Sequence, residues 1–297
     1  MTGDNDKPVR IVINPHSGLG GHGLSLAALR AELRREGIAA VEYVTRCPRD
    51  ATGYVRAHAG RTSAVAVWGG DGTVNEVAEG LAGTPVPLLP CPAGTENLLA
   101  KELGVAGAPA AIAAALRRGR TADCDLARVN GRTFLMTLGT AFDGEVVRRV
   151  AAARSGHISY WSYFWPIWRT LWEHRFPRLR VVADGQEVFA GRGMAFVANI
   201  SRYCAGLRVC REAKFGDGWL DLAAYPCRGR AGLLLHAART LLGRSGGGVV
   251  RLRFRSLRIE ADRPVPSQLD GDAGPLTPLD ISLTGQQVRL LLPAATT

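Results

Sequence analysis

The chain reads as an α/β protein in two parts: an open parallel α/β unit over residues 1–128 and an antiparallel, β-rich unit, a sandwich or barrel, over residues 129–297. Three observations predict this. Short apolar runs alternate with amphipathic stretches through the first part, the βα rhythm of a parallel sheet covered on both faces. After Arg128 the texture changes to many short β-like runs with the hairpin dipeptides Asn130-Gly131 and Asp184-Gly185. The 297 residues, at about 150 per domain, also suggest two domains. With 46% apolar and 21% charged residues the chain can bury a substantial core, which excludes a disordered segment or a small disulfide scaffold.

Residues 9–14 (VRIVIN) are an apolar strand ending in Asn-Pro, followed by a glycine-rich loop and an amphipathic helix over 24–36 stopped by Gly37. The pattern repeats with strand 38–44, helix 50–59, strand 64–68 and helix 73–81. Strand 85–89 and helices 95–103 and 108–118 complete the first part, the last closed by Gly119. In the second part, strands are expected at 133–138, 179–183, 194–199, 220–225, 249–259 and 287–292. Helices are expected near 144–153, 157–174 and 229–243. Ligands of an open parallel sheet bind at the carboxyl ends of its strands, so the loops after the first-part strands are where chemistry is sought.

Three of those loops carry it. Gly69-Gly70-Asp71-Gly72-Thr73 lies between an apolar strand and a helix containing Asn75 and Glu76. Its glycines let backbone approach a ligand, and the N–H groups of the following helix start favour phosphate. Asp71 is out of place in a phosphate loop unless Mg²⁺ intervenes or it accepts a proton from a substrate hydroxyl. Asn14-Pro15-His16-Ser17-Gly18-Leu19-Gly20-Gly21 is a second phosphate-suited loop. Gly18, Gly20 and Gly23 match the dinucleotide fingerprint, but four residues separate them from the strand, and the second strand ends in Thr45-Arg46 rather than an acid; a mononucleotide phosphate loop is the better reading. Pro92-Ala93-Gly94-Thr95-Glu96-Asn97 is the third.

With these residues in place, the chain resembles the diacylglycerol kinase catalytic-domain family of lipid kinases, which includes sphingosine kinases and soluble bacterial lipid kinases. The three loops carry the resemblance, joined by Phe142-Asp143, Asp217-Gly218-Trp219-Leu220-Asp221 and Asp270-Gly271-Asp272, in family order over almost the whole chain. The resemblance implies a nucleotide domain of the kind shared with NAD kinases and phosphofructokinases, a carboxy-terminal β-sandwich domain, and an active site between them. It implies that Asn14, Ser17, Gly18, Thr45, the segment Gly69, Gly70, Asp71, Gly72, Thr73 and Asn75, and Thr95 hold ATP. It likewise implies that Asp217, with backbone at Lys214 and Trp219 and with Asp143 in the same network, takes the Mg²⁺ position. Asp71 and Asp272 are the competing proton acceptors, Asp272 standing where most relatives have Glu. Leu98 replaces an Asp that many relatives carry. The activity implied is ATP-dependent transfer of the γ-phosphoryl group to a hydroxyl of a diacylglycerol-like or sphingoid lipid; the alternatives are a NAD kinase-like phosphotransferase, or a non-catalytic lipid-binding regulatory protein on the same scaffold.

Charge and aromatic pattern suggest where that lipid is met. Residues 1–128 carry 14 basic and 13 acidic side chains (+1), residues 129–297 carry 23 and 13 (+10), together the net +11 of the chain. The second part is therefore suited to an anionic surface. Trp161, Trp165, Trp168 and Trp172 share one helical face, and Pro166 is expected to break that helix in two. Trp favours the membrane interface. Arg228, Arg230, Arg239 and Arg244 flank the apolar stretch 233–242, and Arg251, Arg253 and Arg255 alternate on one strand face. Arg148, Arg149 and Arg154 are candidates for a phosphate or headgroup. The expectation is a cytoplasmic protein in peripheral contact with an anionic membrane surface. The polar, acidic start has no secretory pattern, and the most apolar stretch, 158–168, is short of the ~20 residues that span a bilayer. Nucleic acid is not expected, since no recognition motif accompanies the charge. A homodimer is compatible with the sequence. The six cysteines lack metal spacing, the six histidines are scattered, and no P-loop or nucleophile elbow occurs.

Overall fold

The computed structural model describes residues 7–17, 25–152, 160–244, 246 and 248–293, with backbone alone at 160–163 and 205. The chain divides into two compact units, Met1–Leu126 with Gln286–Thr297, and Ala127–Gly285. Composition placed one boundary at Arg128. Contacts instead return residues 286 onward to the first unit, because the last strand runs parallel to a strand there, with Leu290 opposite Leu88.

The first unit alternates β1 (Val9–Ile13), α1 (Leu26–Arg35), β2 (Ala40–Val44), α2 (Asp50–His58), β3 (Val65–Gly69), α3 (Asp71–Leu81), β4 (Leu88–Pro92), α4 (Leu98–Glu102) and α5 (Pro109–Arg118). Strand β1 pairs in parallel with both β2 and β3, and β3 with β4. The order β2-β1-β3-β4 means that the chain leaves β1 in one direction and returns on its other side. The connections after β1 and β3 diverge there, opening the crevice in which such sheets bind ligands. Ile11, Val12, Val65, Ala66, Val67, Leu88 and Leu89 are buried, the two-sided burial that makes these strands continuous apolar runs. Edge strand β2 is mostly exposed, and its Glu42 is held by Arg30 of α1.

The second unit is antiparallel. Its strands are β5 (Arg120–Val129), entering from the first unit, β6 (Arg132–Phe134), β7 (Thr137–Thr140), β8 (Arg178–Ala183), β9 (Gln186–Ala198), β10 (Leu220–Pro226), β11 (Val250–Phe254), β12 (Ser256–Ala261), β13 (Pro266–Leu269), β14 (Asp272–Leu276) and β15 (Leu279–Leu292), which leaves toward the first. Its helices are α6 (Phe142–Ala152), α7 (Tyr160–Glu173) and α8 (Arg230–Leu241). One layer runs β14-β13-β7-β9-β10-β11, the other β9-β8-β12-β15, and β9 serves both. Its first half pairs with β8 and its second with β7 and β10, the change falling at Arg192–Gly193. A Cβ on Gly193 would lie 2.2 Å from the Tyr225 carbonyl oxygen, so the corner requires glycine. Ala195 and Val197 of β9 join Leu222 and Phe254 in the core between the layers, while Met194, Phe196 and Tyr225 pack into a second cluster on the opposite face. This period-two alternation makes a sandwich whose outer face is also covered.

Both expected hairpins are present: Asn130-Gly131 has φ 46° and 82°, and Asp184-Gly185 has φ 46° and 83°, the left-handed pairs of type I′ turns. Three readings are corrected. Pro166 does not break the helix but lies inside continuous α7. The run 249–259 is two strands, because β11 pairs with β10 and β12 with β8 and β15. The run 133–138 is likewise split between β6 and β7.

Candidate active site

Each predicted turn of the first unit lies at the carboxyl end of its strand, and side chains knit the three together. Asn14 follows β1; its N–H donates to the Trp68 carbonyl (3.0 Å), and its Nδ2 donates to Thr73 Oγ1 (2.9 Å) in the first turn of α3. The turns after β1 and β3 are thereby tied across the switch point. Asn14 Oδ1 also accepts from His16 N–H, and the Ser17 hydroxyl donates to the Asn14 carbonyl (2.8 Å), folding the start of the first loop back on itself. Thr45, buried at the end of β2, bonds the Ile13 carbonyl through backbone N–H and hydroxyl. Gly18 lies outside the described residues.

The second and third turns meet backbone to backbone. A Cβ on Gly94 would stand 2.6 Å from Gly70 Cα, so the approach exists only because residue 94 is glycine; a Cβ on Gly70 would sit at an ordinary 3.8 Å from Gly94 Cα. Asn97, at φ 53°, staples the third turn: its Oδ1 accepts from Gly94 N–H (2.7 Å) and its Nδ2 donates to the Gly94 carbonyl (2.8 Å). Asp71 opens α3, with Gly70 as its N-cap, and reaches across to accept from the N–H groups of Leu98 (3.1 Å) and Leu99 (3.5 Å). Burial pushes its carboxyl up to about 6, opposed by those two N–H groups and reinforced by Glu96 nearby. Gly69 is buried against Thr73, and Gly72, Asn75 and Thr95 are on or beside the same turns. Two residues that shape the site, Gly94 and Asn97, were not among those expected to hold the nucleotide. Their signal was the third loop motif itself, of which only Thr95 was assigned to the nucleotide.

The predicted site residues of the second unit fall into three places. Asp143, in the first turn of α6, packs over Gly139, where any Cβ would collide with its carboxyl. The carboxyl bonds with Tyr203 and Gln268, its Oδ2 is enclosed without a hydrogen-bond partner, and burial pushes it up to about 6. Asp217 lies in an exposed loop between Gly216 and Gly218, both with left-handed φ (76° and 77°). Its Oδ1 accepts from Trp219 N–H (3.1 Å) and its Oδ2 from Arg253 (3.3 Å). The Arg253 and Arg255 guanidinium groups lie over the Trp219 ring at 5.7 and 4.6 Å. Asp221, buried beyond the loop, is pushed up to about 6 by burial and by Asp217. Lys214 is exposed in the same loop.

One carboxylate with backbone oxygens on a glycine turn is a donor set suited to a hard divalent cation, which binds few protein ligands when phosphate supplies the rest. Asp217 is one such carboxylate, and its two oxygens already accept from Trp219 N–H and from Arg253. Among the described residues no group of three or more His, Cys, Asp or Glu side chains converges as a metal cage.

Asp270-Gly271 (φ 50° and 89°) is a third type I′ turn, joining β13 to β14. The buried Asp270 carboxylate accepts from Leu135, Met136 and Thr137 N–H (2.7, 2.9 and 2.8 Å), pinning that hairpin to the strand before α6. Asp272 is exposed on the other side of the turn. Arg251, Arg253 and Arg255 do share a face, but that face holds Tyr225 and Trp219. Arg148 and Arg149 pair with Glu145, and Arg149 also with Glu173; Arg154 is outside the described residues.

An open parallel α/β unit with glycine turns at its switch point, followed in sequence by an antiparallel sandwich, is an architecture that known proteins share. Residues 8–129 match the diacylglycerol kinase catalytic domain, and residues 136–292 match the YegS C-terminal NAD kinase β-sandwich-like domain. A diacylglycerol kinase of Mycobacterium tuberculosis is 34% identical over 237 residues, covering 76% of this chain and 75% of the relative. A diacylglycerol kinase of Bacillus subtilis is 24% identical over 301 residues, 97% of each chain. The crystal structure of a Bacillus anthracis diacylglycerol kinase superposes with TM-score 0.71 at 22% identity, covering 98% of both chains, which shows the shared fold. The chain belongs to the diacylglycerol kinase catalytic-domain family of lipid kinases.

Proposed function

We propose that the protein transfers the γ-phosphoryl group of ATP to a hydroxyl of a diacylglycerol-like or sphingoid lipid. The observation that carries this reading is the knitting of three glycine turns at the switch point, through Asn14–Thr73, Gly70–Gly94 and Asp71–Leu98, in a chain of lipid-kinase ancestry. Asn14, Ser17, Thr45, Gly69, Gly70, Gly72, Thr73, Asn75 and Thr95 hold the nucleotide in this proposal, as does Gly18. The turns hold the phosphates with backbone N–H groups and the positive end of α3, so that little reorganisation accompanies transfer. In this proposal Asp217, with backbone at Lys214 and Trp219 and with Asp143, would hold Mg²⁺, and the ion would supply neutralisation of charge on the transferring group.

Asp71 fixes the third turn against the second and, with its carboxyl near 6, is poised to exchange a proton near neutral pH. Asp272 is the second carboxylate proposed for the hydroxyl proton. Asp272→Asn separates the two: an acidic limb that persists in its kcat profile assigns the proton to Asp71, and one that vanishes assigns it to Asp272. The reading itself is tested with [γ-³²P]ATP and mixed micelles of diacylglycerol, ceramide, sphingosine or total lipid extract, with NAD as control. Label is expected in extracted lipid; label in NADP alone would overturn the assignment.

A further inference from the structure

Helix α7 is amphipathic in the wrong direction for water. It buries Pro166 and Thr170 and leaves Phe164, Trp165, Ile167, Trp168 and Trp172 in solvent, the four aromatic rings 46–64% exposed. An ordinary surface helix turns its large apolar side chains inward. At its carboxyl end α7 is tied to α6 by Glu173, which pairs with Arg149 of α6 and, within α7, with Arg169. Helix α8 repeats the arrangement: it buries His236 and exposes Leu234, Leu235 and Leu241, with Leu242 following at its end. At 3.6 residues per turn these leucines form one stripe, bordered by Arg230 on one side and Arg239 on the other. The two helices touch where the Arg230 guanidinium lies 4.2 Å from the Trp172 ring centroid. Among the described residues, nine of the twelve large apolar side chains left exposed belong to these two segments.

The charge beside this surface identifies what covers it. Between Asp221 and Glu260 the chain has eight arginines and no acidic residue. Four of them, Arg228, Arg230, Arg239 and Arg244, flank or lie on α8, and Leu235, Leu242, Arg239 and Arg244 line a depression of about 650 Å³ at its carboxyl end. A second copy seated symmetrically on this face would set arginine against arginine, whereas an anionic bilayer offers hydrocarbon to the leucines, an interface to the tryptophans and phosphate to the arginines. We propose that α7 and α8 together form the membrane-docking face of the protein, its apolar side chains entering the headgroup region of an anionic bilayer and its arginines pairing with lipid phosphate. This deepens the lipid-kinase reading by assigning the surface from which the acceptor is reached, yet docking itself needs no turnover.

The test is flotation of the full chain, without ATP, on vesicles of phosphatidylcholine alone or mixed with phosphatidylglycerol, at low and high salt. Binding at least tenfold tighter to the anionic vesicles, weakened by salt, is expected. Trp165→Ala/Trp168→Ala/Trp172→Ala should lose at least tenfold, and Arg228→Gln/Arg230→Gln/Arg239→Gln should lose the preference for anionic lipid. These side chains are exposed, apart from the half-buried Arg239, and unchanged circular dichroism and thermal midpoint confirm that the variants fold. Equal binding by the tryptophan variant would overturn the proposal, as would a sedimentation-velocity dimer that those substitutions dissociate while vesicle binding persists. Vesicle binding that depends on these residues, with no label transfer to any lipid, would uphold docking and defeat the lipid-kinase reading instead.

Discussion

Replacing Asp71 by Asn should make the protein more stable at neutral pH while removing its activity. The carboxyl is pushed from its ordinary 3.8 to about 6, with burial the largest cause. A group whose folded value is raised contributes full stability below the unfolded value and loses it as pH rises through the folded one. That gap of about two, at ~1.36 kcal/mol each, means that ionised Asp71 costs ~3 kcal/mol above about pH 7 relative to pH 3. Asn carries no charge and keeps an acceptor for Leu98 N–H, but it loses the weaker bond to Leu99, worth ~1 kcal/mol. The net gain at pH 8 is therefore about 2 kcal/mol, a rise of several degrees in Tm. At pH 4 the difference should shrink or change sign. Thermal unfolding of both proteins from pH 4 to 8, with phosphoryl-transfer rates beside it, checks this. A variant that is less stable by the same amount at every pH would refute the burial reasoning, and one with normal turnover would refute the site.

Other consequences follow from single contacts. Gly94→Ala places a methyl 2.6 Å from Gly70 Cα, where only backbone can yield; a loss of ~1–3 kcal/mol and of ATP binding by calorimetry is expected. Asp143→Asn should raise Tm at pH 8 more than at pH 5, since its enclosed carboxyl is also pushed up to about 6. Asp270→Ala strips three backbone N–H groups of their acceptor and should destabilise by ~3–5 kcal/mol, read in urea unfolding. Arg253→Gln removes the cation that pairs with Asp217. Terbium luminescence sensitised by Trp219 should then report about fivefold tighter cation binding, the ~1 kcal/mol of an exposed ion pair.

The parts of the fold that were legible in the sequence are those set by local rules. β1 and β3 are uninterrupted apolar runs, and Asn130-Gly131 and Asp184-Gly185 fold as the turns their dipeptides demand. The misses have physical causes. Strand β4 lies three residues later than expected because it contains Pro90 and Pro92, which a central strand normally rejects. The third-loop helix begins at Leu98 rather than residue 95 because Asn97 adopts left-handed φ to staple Gly94. Strand β5 opens with polar residues and has no alternation to show it. Asp270-Gly271 satisfied a turn rule and a motif at once, and only the three N–H groups on Asp270 reveal its structural share. Site chemistry was legible where glycine and carboxylate share a turn. The pairing of Asp143 with Tyr203 and Gln268, and of Asp217 with Arg253, was not, because those partners are 60 or 36 residues away or more and carry no motif of their own.

The most direct measurement is label transfer from [γ-³²P]ATP to diacylglycerol in mixed micelles, run side by side on the native chain and on Asp71→Asn. A phosphorylated lipid made by the native protein and absent from the variant is the expected result. Equal product from both, or no labelled lipid from the native chain with any acceptor in the panel, would contradict the assignment of these three turns to phosphoryl transfer onto a lipid hydroxyl.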